Sequence, residues 1–402
     1  MFNFKPHTRL QLHALKSHAP SNLNRDDAGR PKEVRVGNVR RLRLSSQSIK
    51  YAMRQGEVFA AFRESAARDY GAAAMVRTRM VPKELFDALV KRQVPEDKAH
   101  QAITEFAGLM EKEKEASEAE AEATEEEEVQ YPKTQLLALS RREIESIAEA
   151  LVAHQDMSAK NWFKDAMTAW KQERKGLRSR GDLSPELQLF GRMITARDYF
   201  GNIDAPLQVA HAFTTHEAIS ERDYWIGADD LLNRAEGETG GGMIDVRRFG
   251  AGVFYQYACL DVDLLRDNLA KSFIQLDDAQ REPLLQDMIT ALVWAFAVQN
   301  PTGYQNSFAS HAIADVLIAE VGGAFPHSAA AAFERPVKAE RDGSYRDASR
   351  EALRIWDQVR KEKYGDAVFP AMNSLGLRDG DSDMPGLLDW IGTTLTAQRE
   401  VG

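Results

Sequence analysis

VRRLRLSSQSIKYAMR, residues 39–54, predicts a strand that runs directly into a helix. Over residues 39–44, Arg41 and Arg43 alternate with leucines, which is the two-residue period of a strand with one apolar face. The run SSQS at residues 45–48 follows, and a serine there can cap the free N–H groups of a first helical turn. We therefore expect both arginines on one face of a strand that delivers them to the N-terminus of a helix.

This junction has the chemistry of a phosphate-binding surface. A helix N-terminus favours anions through its partial positive charge and its unpaired amides. Lys50 and Arg54 lie four residues apart and so share one helical face. A phosphate backbone across the junction would meet amides, hydroxyls and several cations, which gives salt-dependent binding without base specificity. The alternative interpretation is a solvated basic surface with no ligand.

The acidic net charge of −9 hides two basic segments. Residues 111–128 contain ten acidic and two basic side chains, so the rest of the chain is close to neutral. Residues 25–54 contain nine basic and three acidic side chains, and residues 160–180 contain seven and two. Local charge decides where phosphate binds, so the global charge does not exclude nucleic acid. The acidic run has no apolar face, and we interpret it as a solvated loop or a disordered insertion.

The hydrophobic pattern predicts an α+β fold with an inserted helical block. Residues 9–17 alternate apolar and polar side chains like a half-buried strand, and a loop rich in breakers follows. Residues 57–190 have a mostly helical pattern, whereas short strands, glycines and aromatics begin at about residue 191. Helical segments return at 277–299 and 346–363. Strands at both ends of a helical block indicate one α+β domain interrupted by a helical one.

Composition and motifs argue against several classes of protein. Hydrophobic residues make up 43% and charged residues 28% of the chain, an ordinary soluble balance. No long apolar run or signal-peptide pattern is present, so we expect a cytoplasmic protein with no membrane partner. The single cysteine, Cys259, fits a reducing compartment. With no HExxH motif, P-loop or nucleophile elbow, the sequence predicts no cofactor, no metal and no catalytic residue.

Two adjacent carboxylates, Asp26 and Asp27, leave a second chemistry open. Divalent cations prefer oxygen ligands, and a metal held here could cleave RNA. Consecutive residues seldom both ligate one ion, however, and no third carboxylate is evident nearby. A turn or a salt bridge is the favoured interpretation.

Apolar side chains in the middle of the chain are candidates for contact with bases. Met193 and the run Tyr224-Trp225-Ile226 occur where the core periodicity is weak. Such side chains can stack on bases or wedge between them in a single-stranded groove, with core packing as the alternative. The basic segment that includes Lys160 and Lys164 predicts either a second phosphate-facing surface or a charged exterior.

An ordered series of segments resembles the CasC family. It comprises SHAPSNLNRDD (17–27), RRLRLSSQSIKYAMR (40–54), GRM (191–193), VAHAFTTH (209–216), ADDL (228–231), GVFYQYA (252–258) and AAFERPVKAERDG (331–343). The similarity covers most of the chain in the right order. CasC is the repeating backbone subunit of the type I-E CRISPR surveillance complex, Cascade.

The resemblance implies a shape like a right hand. A modified RNA-recognition-motif (ferredoxin-like) palm would comprise residues 1–56 and 246–402. A helical fingers domain would be inserted at 57–190 and would carry the acidic run 111–128. A β-hairpin thumb with its flanks would occupy residues 191–245.

The resemblance also implies a function without catalysis. Several copies would stack as a helical oligomer along one CRISPR RNA and form a ribonucleoprotein with other Cascade subunits. Each thumb would displace one base at regular intervals and leave the others to pair with a target DNA strand in antiviral defence. Base pairing would then supply the specificity, while the protein contacts the backbone.

The resemblance assigns roles to individual residues. The palm contacts to the guide backbone would be Arg25, Ser46, Gln47, Lys50 and Arg54, beside the strand arginines Arg41 and Arg43. Met193 would intercalate beside the kinked base, and Tyr224, Trp225 and Ile226 would form the apolar tip of the thumb. Lys160 and Lys164 would touch the target DNA.

Two alternatives and two departures from the family pattern accompany this hypothesis, and the acidic run 111–128 is the first departure. Related backbone subunits of type III complexes cleave target RNA with a loop aspartate, so a metal-dependent ribonuclease would use Asp26 or Asp27. A free-standing single-strand binding protein without CRISPR partners is the other alternative. The loop at residues 303–306 lacks the basic side chains expected near RNA.

Overall fold

The structure is a computed structural model that describes residues 7–112, 131–155, 161–173, 183–194, 199–228, 241–323, 325–339, 343–364, 371–378 and 380–401. Lys160 and nearly all of the acidic run 111–128 lie outside these residues, so the prediction of a solvated insertion stays a prediction. None of the helices in the described ranges is both long and apolar enough to cross a membrane.

Groups of strands alternate with groups of helices along the chain. They are β1 (Thr8–Ser21), β2 (Glu33–Val36), β3 (Val39–Leu44), β4 (Met75–Thr78), β5 (Leu137–Ser140), β6 (Leu207–Val209), β7 (Ala212–Thr214), β8 (Ile219–Ala228), β9 (Gly241–Asp261), β10 (Ala314–Gly323) and β11 (Ala371–Leu375).

The helices include long ones near both ends of the chain. They are α1 (Ser46–Gln55), α2 (Glu57–Tyr70), α3 (Val81–Lys91), α4 (Glu96–Lys112), α5 (Arg141–Ala153), α6 (Trp162–Glu173), α7 (Pro185–Phe190), α8 (Val262–Ser272), α9 (Asp278–Val298), α10 (Gln305–Phe308), α11 (Tyr345–Tyr364) and α12 (Met384–Val401).

Nine of the strands form one sheet, in the order β11-β10-β1-β9-β7-β3-β2, with β6 and β8 paired to β9. The predicted strand at 9–17 is confirmed as β1, which is longer than its apolar pattern indicates. It lies between two antiparallel neighbours, and Leu12 is opposite Ala258 on one side and Ala319 on the other. The α+β class is therefore confirmed.

The chain divides into two compact units. The first comprises Met1–Ala61, Gln208–Val262 and Ile289–Gly402, and the second comprises Phe62–Leu207 and Asp263–Met288. The first holds the large sheet. The second is mainly helical, with Leu85, Phe106, Ile144, Trp162 and Trp170 among its buried core residues.

Residues 263–288 group with the helical unit, whereas the sequence-based scheme assigned them to the palm. The physical reason is a set of long-range hydrogen bonds. Asn268 Nδ2 donates to the carbonyl oxygens of Gln188 (3.2 Å) and Asp204 (3.0 Å). Ser272 Oγ accepts from the amide of Leu183 at 3.0 Å. Hydrophobic periodicity carries no information about such contacts.

A network of charged side chains is buried in the core of the first unit. Glu320 on β10 is 1% exposed, and the guanidinium of Arg360 on α11 donates to it. His327 Nε2 lies 2.8 Å from the same carboxylate, and His13 Nε2 lies 3.8 Å from it. Although burial raises it, the two neighbouring histidines hold the pKa of Glu320 well below its usual range.

The ligand atoms of His13, Glu320 and His327 lie within 4.8 Å of one another, which is the only such group in the described ranges. Arg360 already donates to both Glu320 and His327. The carboxylate charge is therefore compensated without an ion, and we interpret the group as a structural charge network.

Replacement of Arg360 tests this interpretation. Arg360→Leu should lower the free energy of unfolding by about 3–5 kcal/mol, because it leaves a buried carboxylate without its cation. Arg354 lies on the same helix and pairs with Glu351 at the surface, so Arg354→Leu is the matched control and should cost about 1 kcal/mol or less. Urea denaturation of both variants measures the difference. Equal losses would contradict the interpretation.

Candidate nucleic-acid interface

The predicted junction of strand and capped helix is confirmed. β3 ends at Leu44, and Ser45 Oγ accepts a hydrogen bond from the amide of Ser48 at 3.3 Å. The helix α1 buries Ile49 and Met53, which fixes the direction of its opposite face. Gln47 lies on that face and is exposed, whereas Ser46 and Lys50 are half-buried at the edge of the packed face.

Lys50 has an environment suited to an anion. No carboxylate pairs with it in the part of the chain that the structure describes. Burial lowers the pKa of its ammonium group, because the charged form loses solvation. A phosphate placed beside Lys50 would restore the charge stabilisation that burial removes.

Arg41 corrects the expectation of two arginines on an exposed face. Its side chain is 0% exposed, and it donates to the carbonyl oxygens of Thr214 and Phe333, both at 2.9 Å. The RNA contact by Arg41 stays a prediction, and the burial of its side chain counts against it. Its guanidinium instead ties β3 to two distant segments, and such partners cannot be inferred from the alternation in residues 39–44.

Arg54 is also less exposed than its predicted contact with RNA requires. Only 7% of its surface is exposed, so it cannot present a guanidinium to a ligand as freely as its helical spacing from Lys50 suggests. The exposed cationic part of α1 is therefore smaller than predicted.

Arg43 is half-buried and lies at the start of α1 together with a histidine that sequence reasoning did not select. Arg43 Nη1 lies 3.3 Å from His211 Nδ1, and the amide of Ser46 donates to the same nitrogen at 3.3 Å. Burial, followed by the charges of Arg43 and Lys32, lowers the pKa of His211. The imidazole is therefore neutral and holds an N-terminal amide of the helix.

Arg25 is exposed and forms part of an arginine–tyrosine cluster. Its guanidinium carbon lies 4.5 Å from the centre of the Tyr304 ring, and that of Arg247 lies 4.9 Å from the same centre. The loop at 303–306 has no cation of its own, but it gathers two from β9 and from the loop before β2. Residues distant in sequence therefore supply the basic side chains that this loop lacks.

The backbone of this loop is fixed in place. A Cβ atom on Gly303 would lie 2.4 Å from the carbonyl oxygen of Asn22, so only glycine allows the close approach. Upstream, the buried Lys16 donates to Gln299 O at 3.1 Å and to Asn300 Oδ1 at 3.2 Å. The aromatic platform under the two arginines is therefore preorganised.

The two loop aspartates have different partners. Asp26 Oδ1 accepts from the amide of Arg30 at 2.8 Å, and its Oδ2 accepts from the Arg30 side chain at 2.9 Å. These hydrogen bonds lower the pKa of Asp26. Asp27 accepts from the adjacent amide of Ala28 at 3.1 Å. Both oxygens of Asp26 are thus engaged within its own turn.

Met193 lies in the second unit and is 92% exposed. On one side of it, the buried Arg192 donates to both carboxylate oxygens of Glu143 at 2.9 and 2.8 Å. On the other side, the amide of Ile194 donates to Asn202 Oδ1 at 2.9 Å. An apolar side chain is thereby held in solvent between two anchored neighbours, which is the arrangement that a wedge between bases requires.

β8 and β9 form an antiparallel hairpin, with Ile219 opposite Ala251 and Ala228 opposite Gly241. Tyr224, Trp225 and Ile226 lie within the ladder of β8 rather than at the turn, which corrects their predicted place at a tip. Tyr224 is opposite Val246, and both side chains are exposed. The residues of the turn itself lie outside the described ranges.

Of the two predicted target-DNA contacts, Lys164 is exposed on α6. The other, Lys160, falls outside the described residues.

Replacements at 192 and 193 should change the free energy of unfolding by very different amounts. Arg192→Met should lower the free energy of unfolding by about 3–5 kcal/mol, because it leaves the Glu143 carboxylate buried and unpaired. Met193→Ala should change it by less than about 0.5 kcal/mol, because the side chain is in solvent. Thermal and urea unfolding of both variants provide the measurement. A large loss for Met193→Ala would show that the side chain packs in a core.

Comparisons with known proteins place the chain in a family. The family model described as CT1975-like protein matches residues 10–382, which is most of the chain. A comparison with curated proteins finds no match.

Two solved structures share the fold over almost the full length of the chain. One, described as "CRISPR RNA-guided surveillance complex, pre-nicking", has a chain 25% identical to this one, with 96% of this chain and 99% of that chain covered and a TM-score of 0.73. Another, "CRISPR RNA-guided surveillance complex", is 22% identical with the same coverage and a TM-score of 0.64, and it supports the fold alone. The protein therefore belongs to the CT1975-like family, and its predicted relationship to CasC, as a Cascade backbone-type protein, is confirmed.

Proposed function

We propose that this protein is a non-catalytic backbone subunit of a type I-E CRISPR interference complex. Several copies bind one CRISPR RNA along its phosphate backbone, assemble as a helical oligomer with other Cascade subunits, and present the RNA for pairing with target DNA. The observation that carries the proposal is the capped start of α1 with Lys50 beside it, in a chain whose relatives belong to RNA-guided complexes.

The first unit supplies the contacts to phosphate in this proposal. Gln47 and the Ser46 hydroxyl donate hydrogen bonds, while Lys50 and Arg43 supply charge. Arg25, stacked on Tyr304, adds a guanidinium held at a fixed angle. Phosphate contacts position a nucleic acid without reading its sequence, so one surface serves any guide.

The same proposal assigns the palm, the fingers and the thumb. The sheet of the first unit is the RNA-recognition-like palm, the helical block is the fingers, and the β8–β9 hairpin is the thumb. Met193 wedges beside a base that the thumb displaces, and Tyr224 supplies apolar surface on the thumb. Lys164, with Lys160, contacts the target DNA strand.

The geometry of Asp26 favours a scaffold over a metal-dependent ribonuclease. A catalytic carboxylate must offer free oxygens to a divalent cation. Both Asp26 oxygens accept from Arg30 instead, and Asp27 bonds to the next amide along the chain. Neither belongs to a metal-ligand group in the described ranges.

Replacement of Lys50 tests the phosphate-binding surface. Lys50→Ala should weaken retention of a CRISPR RNA by roughly tenfold, because it removes one charge-assisted hydrogen bond to phosphate. The loss should be equal for guides of unrelated sequence and should shrink as salt rises. Binding of labelled guides at several salt concentrations measures both effects.

Lys363→Ala is the matched control, since Lys363 is an exposed lysine in the last turn of α11. Retention unchanged by Lys50→Ala at every salt concentration would contradict the proposed surface. Cleavage of the guide or of a complementary RNA that Asp26→Asn abolishes would favour the ribonuclease instead.

A further inference from the structure

A basic cavity of about 320 Å³ lies in the first unit, on the loop before β2 and the base of the β8–β9 hairpin. Its walls carry five cations, which are Arg30, Lys32, Arg40, Arg43 and Arg248. Except for Arg43, these residues were not predicted to bind a ligand. The cavity is far larger than a single water molecule requires.

The two carboxylates in the wall are already paired. Asp26 binds Arg30 at 2.9 Å, and Glu33 binds Arg40 at 3.2 Å. The other three cations have no carboxylate partner in the described ranges. They are Lys32, Arg43 and Arg248, and the Nε atom of Arg43 is buried without a hydrogen-bond acceptor. The cavity therefore holds an excess of three positive charges.

The pairing of β8 with β9 adds like-charge repulsion at the same place. Arg222 on β8 lies directly opposite Arg248 on β9. Like charges at opposite positions of an antiparallel pair destabilise it. An anion between or beside them would remove this cost, so the register itself points to a negatively charged ligand.

The walls are preformed by backbone hydrogen bonds. The amide of Lys32 donates to Asn24 O, and the amide of Arg43 donates to Lys32 O, both at 2.8 Å. The amide of Asp26 donates to Arg30 O at 2.8 Å. The cations are therefore carried by a fixed frame, and little ordering entropy opposes binding.

The cavity is distinct from the Tyr304 cluster. Successive residues of a strand point to opposite faces. Arg247 stacks on Tyr304, whereas the next residue, Arg248, lines the cavity. The base of the hairpin thus offers one arginine to each face of β9.

We propose that this cavity binds a phosphodiester group of a nucleic acid, through Lys32, Arg43 and Arg248. The proposal rests on the proposed function, in which the complex holds both a guide RNA and a target DNA strand. Either strand has the required chemistry. A protein carboxylate is the competing ligand.

The experiment uses the complex assembled with its guide and partner subunits, carrying Arg248→Gln or Lys32→Gln. Arg350→Gln is the control, because Arg350 is an exposed arginine on α11 in the same unit. Guide retention and the Kd for target DNA are measured across a salt series. Thermal unfolding first checks that each variant is folded.

If the phosphate belongs to the guide, both variants should release guide RNA at lower salt, and the salt slope should fall by about 0.7 for each cation–phosphate pair that the substitution removes. If it belongs to the target, guide retention should stay unchanged while the Kd for target DNA rises roughly tenfold at fixed salt. Either result supports the proposal. Unchanged retention and unchanged target affinity in both variants would overturn it.

Two further outcomes separate the alternatives. Fewer copies per guide with an unchanged salt slope would assign the cavity to a protein carboxylate and contradict the proposal. A wild-type complex without guide RNA would contradict the proposed function instead. The effect of inorganic phosphate on the Tm then tests the cavity by itself. A phosphate-dependent rise in Tm that Arg248→Gln abolishes supports an anion site. An equal rise in the wild-type protein and the variant contradicts it.

Discussion

The antiparallel pairing of β9 with β1 is the interaction on which the rest of the structure depends. β9 is 21 residues long and continues beyond this pairing to form a hairpin with β8. Its C-terminal half buries Tyr255 in the core, and its N-terminal half carries Arg247, which stacks on Tyr304, and Arg248, which lines the basic cavity. A slip of one residue would exchange the two faces and destroy the core and the interface together.

The electrostatics of the chain separate compensated charges from uncompensated ones. In the core, Glu320 has Arg360, and Glu143 has Arg192, so burial of each ion is matched by a partner. At the candidate interface, Lys50 has no carboxylate partner in the described part of the chain. A net acidic protein can therefore hold a basic surface, because its local charge sets where an anion binds.

Local chemistry made the start of the site predictable, and long-range contacts made the rest unpredictable. The alternation in residues 39–44 and the serine run predicted β3, the cap and α1, since both signals depend only on residues close together in the sequence. The burial of Arg41 depends on the carbonyl of Phe333, almost three hundred residues away. The same limit applies to Tyr304, whose two arginines come from distant segments.

RNA is, on this view, the ligand around which several copies of the protein assemble. The most direct test is co-expression with a CRISPR RNA and the partner subunits, followed by affinity purification, sequencing of the bound RNA and native mass spectrometry. We expect a protected repeat–spacer RNA with several copies of this chain on each molecule. A monomer that carries no RNA would contradict the proposed role as a backbone subunit.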